Sequence, residues 1–156
     1  MKTSAIAQID STQIDLHRAG ATLLRVALGI MFIAHSVVLK YFTFTLAGTA
    51  QYFVSIGLPS FLAYVVFAAE AVGGVLLVLG IRTRWVALAL IPVLIGATWA
   101  HVGNGWVFNA PNGGWEYPAF LAAAALAHVL IGDGAFAARP AMLSGPASDR
   151  PLARAA

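Results

Sequence analysis

Residues 62–80 read LAYVVFAAEAVGGVLLVLG, and Glu70 is their one formal charge. A helix on the surface of a soluble domain keeps a polar face opposite its apolar stripe. This stretch has almost no polar face, and with Phe61 before it the run approaches the roughly 20 residues that cross a bilayer core. Pro59 stands just upstream, where a helix start tolerates a missing N–H. A second run follows at once, WVALALIPVLIGATWA at residues 85–100. It also lacks a polar face, and Pro92 inside it is a place where a helix can kink. A soluble all-α bundle would need polar faces that neither run has.

Moving outward, two more apolar stretches flank this pair. The chain is therefore predicted to be an all-α integral membrane four-helix bundle, with spans at about 21–40, 60–80, 85–102 and 117–137. Composition agrees. Of 156 residues, 60% are apolar and 10% charged, against about 25% charged in an average soluble domain. Mean hydropathy is +0.84. The formal charge of +3 sits in short loops and ends, not on one face, which excludes a nucleic-acid footprint. There is no cysteine, which excludes disulfides, thiol exchange and thiolate-held iron–sulfur clusters from this chain's own residues.

Orientation follows from the basic residues. With four spans, Lys2, Arg18, Arg82, Arg84, Arg139, Arg150 and Arg154 share one side with both ends of the chain, and Lys40 alone lies near the other. The positive-inside rule places that first side in the cytoplasm. The expected membrane is the bacterial inner membrane. Residues 1–20 are polar and contain no apolar core with a cleavage site, so they are read as a cytoplasmic segment and not as a signal peptide. Residues 139–156 read as a disordered cytoplasmic tail. The loop from Tyr41 to Pro59 carries Tyr41, Phe42, Phe44, Tyr52 and Phe53, as a segment lying in the interface does. The loop HVGNGWVFNAPNGGWEY, residues 101–117, is rich in Gly and Asn and is expected to fold back over the helix ends.

Glu70 is the strongest candidate for chemistry. An acid near the bilayer centre costs roughly 2.5–3.5 kcal/mol on insertion scales. A basic partner, a proton or a water-filled hollow must offset it. Gly73 and Gly74, three and four residues on, let another helix come close. Arg25 and Lys40 close the two ends of the first span, and both are expected to reach toward the membrane surfaces. His35 lies deeper in the same span. His101 and Glu116 come together through the outer loop, and Glu116, Phe120, Ala123, Ala127 and His128 fall roughly on one face of the fourth helix. Topology thus gathers His35, Lys40, His101 and Glu116 toward one side, with Glu70 below them, and leaves His128 and Asp133 at the other. A haem between His35 and His101, or a metal held by His35, His101, Glu70 and Glu116, has suitable ligand types but no diagnostic spacing. A quinone asks only for an apolar slot, aromatic walls and a polar group that moves a proton.

The order of motifs resembles the DoxX family of small bacterial membrane proteins. Its pattern falls on Arg25 and Gly29, His35 and Lys40, Gly57 to Pro59, Glu70 with Gly73 and Gly74, His101 with Asn104 and Gly105, and Gly113, Gly114, Glu116 and Tyr117. The resemblance runs from about Leu23 to Asp133. One departure is Ser36, where the family pattern has a Gly after the His. The resemblance implies a four-helix inner-membrane protein linked to quinone-dependent sulfur oxidation or to oxidative and thiol stress.

These readings give a redox-associated membrane subunit that binds a quinone or similar small molecule. Glu70 is its buried acid and catalytic candidate. His35, Lys40, His101, Asn104, Glu116 and Tyr117 complete the binding set, and no resident metal is assigned. Partners are the bilayer, a redox protein that supplies electrons, and a second copy joined through Gly73 or Gly80. The rival readings are a non-catalytic scaffold that docks soluble redox enzymes at Arg82 and Arg84, and a small-solute transporter.

Overall fold

The computed structural model describes residues 2–138, with side chains from Leu16 onward. The tail at 139–156 lies outside the described residues. Among them there are five α-helices and no strand: α1 (Lys2–Ile33), α2 (Leu46–Ser55), α3 (Phe61–Leu79), α4 (Thr83–His101) and α5 (Glu116–Ile131). Helix α1 runs without a break into a π-helical segment, Ala34–Thr43. Among the described residues three helices are long and apolar enough to cross a membrane, within Leu16–Thr43, Phe61–Leu79 and Thr83–Asn104.

The fourth apolar helix is shorter than expected. It ends at Ile131 and not near 137, because Gly132 takes φ +97°, a conformation open mainly to glycine. Its 16 residues are about 24 Å long at 1.5 Å per residue, less than the roughly 30 Å of a bilayer core. Helix α4 continues across Pro92. The expected interfacial loop contains α2, whose start is capped by Thr45 Oγ1 accepting from Gly48 N–H at 3.1 Å. Tyr41, Phe42, Phe44 and Tyr52 are all exposed around it.

The interior is narrow. Leu28 and Phe32 of α1, Leu77 of α3, Ala87, Leu90 and Leu94 of α4, and Leu121 and Ala125 of α5 form one buried cluster. Large apolar side chains meanwhile cover the outside: Leu23 is 72% exposed and Leu130 73%. A surface this apolar fits a protein whose solvent is lipid.

Helices α1 and α3 touch backbone to backbone. A side chain at Gly74 would meet Gly29 O at 2.8 Å, and one at Gly29 would meet Gly74 O at 2.8 Å. Gly73 faces the other way, where a Cβ would meet Leu90 Cδ1 of α4 at 2.8 Å. The adjacent glycines thus serve two different helix contacts. Gly80 closes α3 with φ +78°, and Ile81 N–H donates to Leu76 O at 2.9 Å, the bond of a Schellman cap. Gly80 is covered by Arg25, Ala137 and Ala138. Neither Gly73 nor Gly80 is open for the expected contact with a second copy. Both are spent inside the chain.

Candidate functional site

Registers along the helices decide which polar groups meet. Gly29 lies beside Gly74 and Val78, so α1 runs antiparallel to α3. The π segment that continues α1 therefore rises past the middle of α3, and Lys40 meets Glu70. Lys40 Nζ donates to Glu70 Oε2 at 2.6 Å. The side chains are 17% and 8% exposed. Lys40 does not reach outward, as the sequence suggested. The π segment explains this. Hydrogen bonds spanning five residues widen the helix, as in Phe44 N–H donating to Leu39 O at 2.8 Å. Residues five apart then stand nearly in line, which brings Lys40 round to the side of His35 and Glu70. Of the three ways to offset a buried acid, the structure supplies the basic partner.

His35 Nδ1 lies 2.8 Å from Met31 O. A carbonyl only accepts, so Nδ1 carries a proton. The ring stacks on Tyr117, with centroids 5.6 Å apart and planes at 25°. The Tyr117 hydroxyl is buried and has no hydrogen-bond partner. A hydroxyl in that state costs about 1–3 kcal/mol and is a ready donor to a guest. Ser36 is fully buried beside this region, and its hydroxyl is satisfied by Phe32 O at 2.8 Å and Ile33 O at 3.1 Å.

The loop at residues 101–117 forms a separate polar group. His101 Nδ1 lies 3.1 Å from both Asn112 O and Gly113 O, and the Asn104 amide donates to the same two carbonyls at 3.1 and 2.9 Å. Glu116 Oε1 accepts from Phe108 N–H at 2.9 Å. Trp106 packs edge-on against Trp115, centroids 4.5 Å apart. Gly114 must be glycine, because a Cβ there would overlap the Val107 and Trp106 carbonyls. These bonds fold the loop on itself. His101, Asn104 and Glu116 all hold the loop's shape, and His101 and Glu116 do so on different carbonyls and amides. No group of three His, Asp or Glu residues among the described ones could hold a metal ion, so the four-ligand metal arrangement does not form.

The opposite end holds a cluster that sequence reasoning did not assemble. Arg25 is 2% exposed and donates from Nη1 to Asp133 O at 3.0 Å. It does not reach the surface as expected. Thr83 Oγ1 donates to Asp133 Oδ1 at 2.5 Å, so it must accept from His128 Nε2, 3.0 Å away. Arg25 Nε and His128 Nδ1 are buried without partners. His128 lies on the buried face of α5 with Pro118, Leu121 and Ala125, whereas Phe120 and Ala123 are exposed. The expected face of α5 was therefore drawn too far round. A spacing of 118, 121, 125 and 128 was the available signal.

A surface hollow of about 550 Å³ lies between α1 and the segment after α5, and a smaller one lies against Ala71, Val72, Val75 and Leu76. Neither is lined by Glu70.

Comparison with known proteins adds three findings. A family model described as DoxX matches residues 20–103. That stretch holds Arg25, His35, Lys40, Glu70, Thr83 and His101, and stops before Asn104, Glu116 and Tyr117. A curated protein of Bacillus subtilis (strain 168) named "Putative oxidoreductase CatD" is 50% identical over 78 residues, which make up 50% of this chain and 56% of that protein. The match thus spans little more than half the length of that relative. No solved structure matches.

Proposed function

This chain belongs to the DoxX family, and from that premise we propose that it is a redox-associated membrane protein that binds a quinone, or a similar small carbonyl compound, beside the Lys40–Glu70 pair. The observation that carries this reading is the placing of that ion pair, at 2.6 Å between two helices long and apolar enough to cross a membrane, near the stacked His35 and Tyr117. The Tyr117 hydroxyl and the Lys40 ammonium are donors for a quinone carbonyl. His35 Nε2 is the acceptor for a quinol hydroxyl. Glu70 is the acid through which a proton would pass. Without cysteine, electrons come from a redox partner protein or directly from a reduced substrate. The name of the Bacillus relative fits this class of chemistry.

The test is titration of purified protein in lipid nanodiscs with a short-chain ubiquinone, followed by quenching of tryptophan fluorescence. Saturable quenching is expected in the parent, with at least about tenfold weaker binding in Glu70→Gln, the loss that follows when about 1.4 kcal/mol of polar contact disappears. Unchanged binding in that variant would remove the site. A scaffold function is the second reading. Arg82 is exposed with φ +46°, and the Lys40–Glu70 pair can act as glue alone. In that case Arg82→Ala with Arg84→Ala abolishes capture of redox enzymes while Glu70→Gln changes nothing. Transport has less support, since the apolar cluster separates the Lys40–Glu70 pair, at the middle of α3, from the Arg25, Thr83 and His128 group.

The same reading includes four spans in the bacterial inner membrane with both chain ends in the cytoplasm. Helix α5 lies antiparallel to α4: its His128 is beside Thr83 at one end, and its loop returns to His101 at the other. The two helices thus cover the same depth. A cysteine introduced at position 82 is expected to react with a membrane-impermeant maleimide only after the cell membrane is opened. Labelling of intact spheroplasts at that position would reverse the orientation.

A further inference from the structure

The segment after α5 does more than end the helix. From Gly132 to Ala138 it crosses the arginine-rich end of the bundle and is pinned to three helices. Ala135 N–H donates to Thr22 Oγ1 at 2.8 Å and Ala138 N–H donates to Leu79 O at 3.3 Å. Asp133 is held by Arg25 and Thr83. At Gly134 the strap comes so close to α1 that a Cβ would lie 2.6 Å from Thr22 N. Both backbone groups of Ala135 are thereby engaged by Thr22 of α1, and the Phe136 side chain is left facing outward.

That outward side is the hollow of about 550 Å³, lined by Arg18, Ala19, Thr22, Leu23 and Val26 of α1 and by Ala135 and Phe136 of the strap. The size falls within the range of small-molecule sites. Arg18 lies just before the apolar run that begins at Ala21, which puts it at headgroup depth. Leu23 and Val26 lie one to two turns deeper, at acyl depth. Phe136 supplies an independent observation. It is 93% exposed and has φ +55°. A bulky residue in the left-handed region carries real strain, and among the described residues nothing covers its ring. The strain holds an aromatic ring outward beside an apolar wall, with a guanidinium at the polar end.

We propose that this slot between α1 and the strap binds a phospholipid of net negative headgroup, its phosphate on Arg18 and one acyl chain against Leu23, Val26 and Phe136. The charge fits. Arg82 and Arg84 also stand at this end, so an anion meets a basic rim.

The experiment is native mass spectrometry of the full chain released from detergent, after addition of phosphatidylglycerol, of phosphatidylcholine with the same chains, or of inorganic phosphate alone. Adducts of the anionic lipid are expected to exceed those of the zwitterionic one about fivefold, the preference one arginine near a membrane surface supplies. Arg18→Gln should bring the two lipids level, and Phe136→Ala should weaken both. Both side chains are exposed, so neither change touches the core. Equal retention of the two lipids by the parent would overturn the proposal. So would a preference that survives Arg18→Gln, or phosphate alone competing as well as lipid does. An adduct that appears only once residues 139–156 are removed would assign the slot to the chain's own tail and overturn it too.

Discussion

Lys40→Met is expected to lower the unfolding free energy of the bundle by about 3–5 kcal/mol, the cost of stripping one partner from a buried ion pair. The carboxylate of Glu70 is 8% exposed and its nearest cation is 2.6 Å away. Without the ammonium it stays desolvated, with neither a charge nor a hydrogen bond to offset it. The reverse change costs less. Glu70→Leu leaves Lys40 on a flexible stem that can swing its head out to the interface. Combining both as Lys40→Met with Glu70→Leu removes the two charges together, and such replacements are often neutral or stabilising. The expected pattern is one costly single change, one cheaper one, and a double variant close to the parent. Unfolding of the purified protein in mixed micelles measures it. If the two single costs simply add within about 0.5 kcal/mol in the double variant, the residues are not coupled. The double variant also separates glue from site: a stably folded bundle that no longer binds quinone makes the pair functional.

How much of this was legible depends on whether the deciding partner was near in sequence. The apolar run around Glu70 states its own burial in lipid, so α3 is found within a residue at each end. Gly73 and Gly74 read as small residues for close packing, and they are. That one serves α4 and the other α1 needed the neighbouring helices in place. The end of α5 was misjudged because Ala135 to Ala138 are as apolar as the helix itself, while the stop signal was one glycine. Lys40 was turned outward for lack of any residue that announces a π segment; Ala34–Thr43 contains neither Pro nor Gly. With a five-residue bond, the phase of every later side chain shifts. Of the candidate site, Glu70 was legible from cost alone, and Tyr117 from its motif. The division of His101, Asn104 and Glu116 into a loop clamp was not, since backbone carbonyls carry no mark in the sequence. Arg25 was the hardest case. Its position at a span end suits snorkelling equally well, and its actual partner, Asp133, lies 108 residues away.

That distant partner makes Thr83 the residue to change. Thr83 is fully buried and sits between two groups, giving its proton to Asp133 Oδ1 and accepting from His128 Nε2. Thr83→Val keeps the shape and deletes the hydroxyl. It leaves a buried N–H and a carboxylate oxygen without their partner at once, and each such loss costs about 1–3 kcal/mol, more for the charged group. A total of about 3–5 kcal/mol is expected on that basis. Thr83→Ser keeps the hydroxyl and loses one methyl, which should cost only about 1 kcal/mol. The same unfolding measurement in micelles compares them. The difference matters because Asp133 is the hinge of the strap: its backbone oxygen holds Arg25 and its side chain holds Thr83. When the carboxylate is released, the strap loses its tie to α4 while Thr22 still holds it to α1. Amide exchange at Asp133 to Ala138 should therefore rise in Thr83→Val and not in Thr83→Ser. Equal stability and equal exchange in the two variants would mean that this hydroxyl does not bind the strap to the bundle, and the arginine-rich end would need another explanation for how it keeps Arg25 inside.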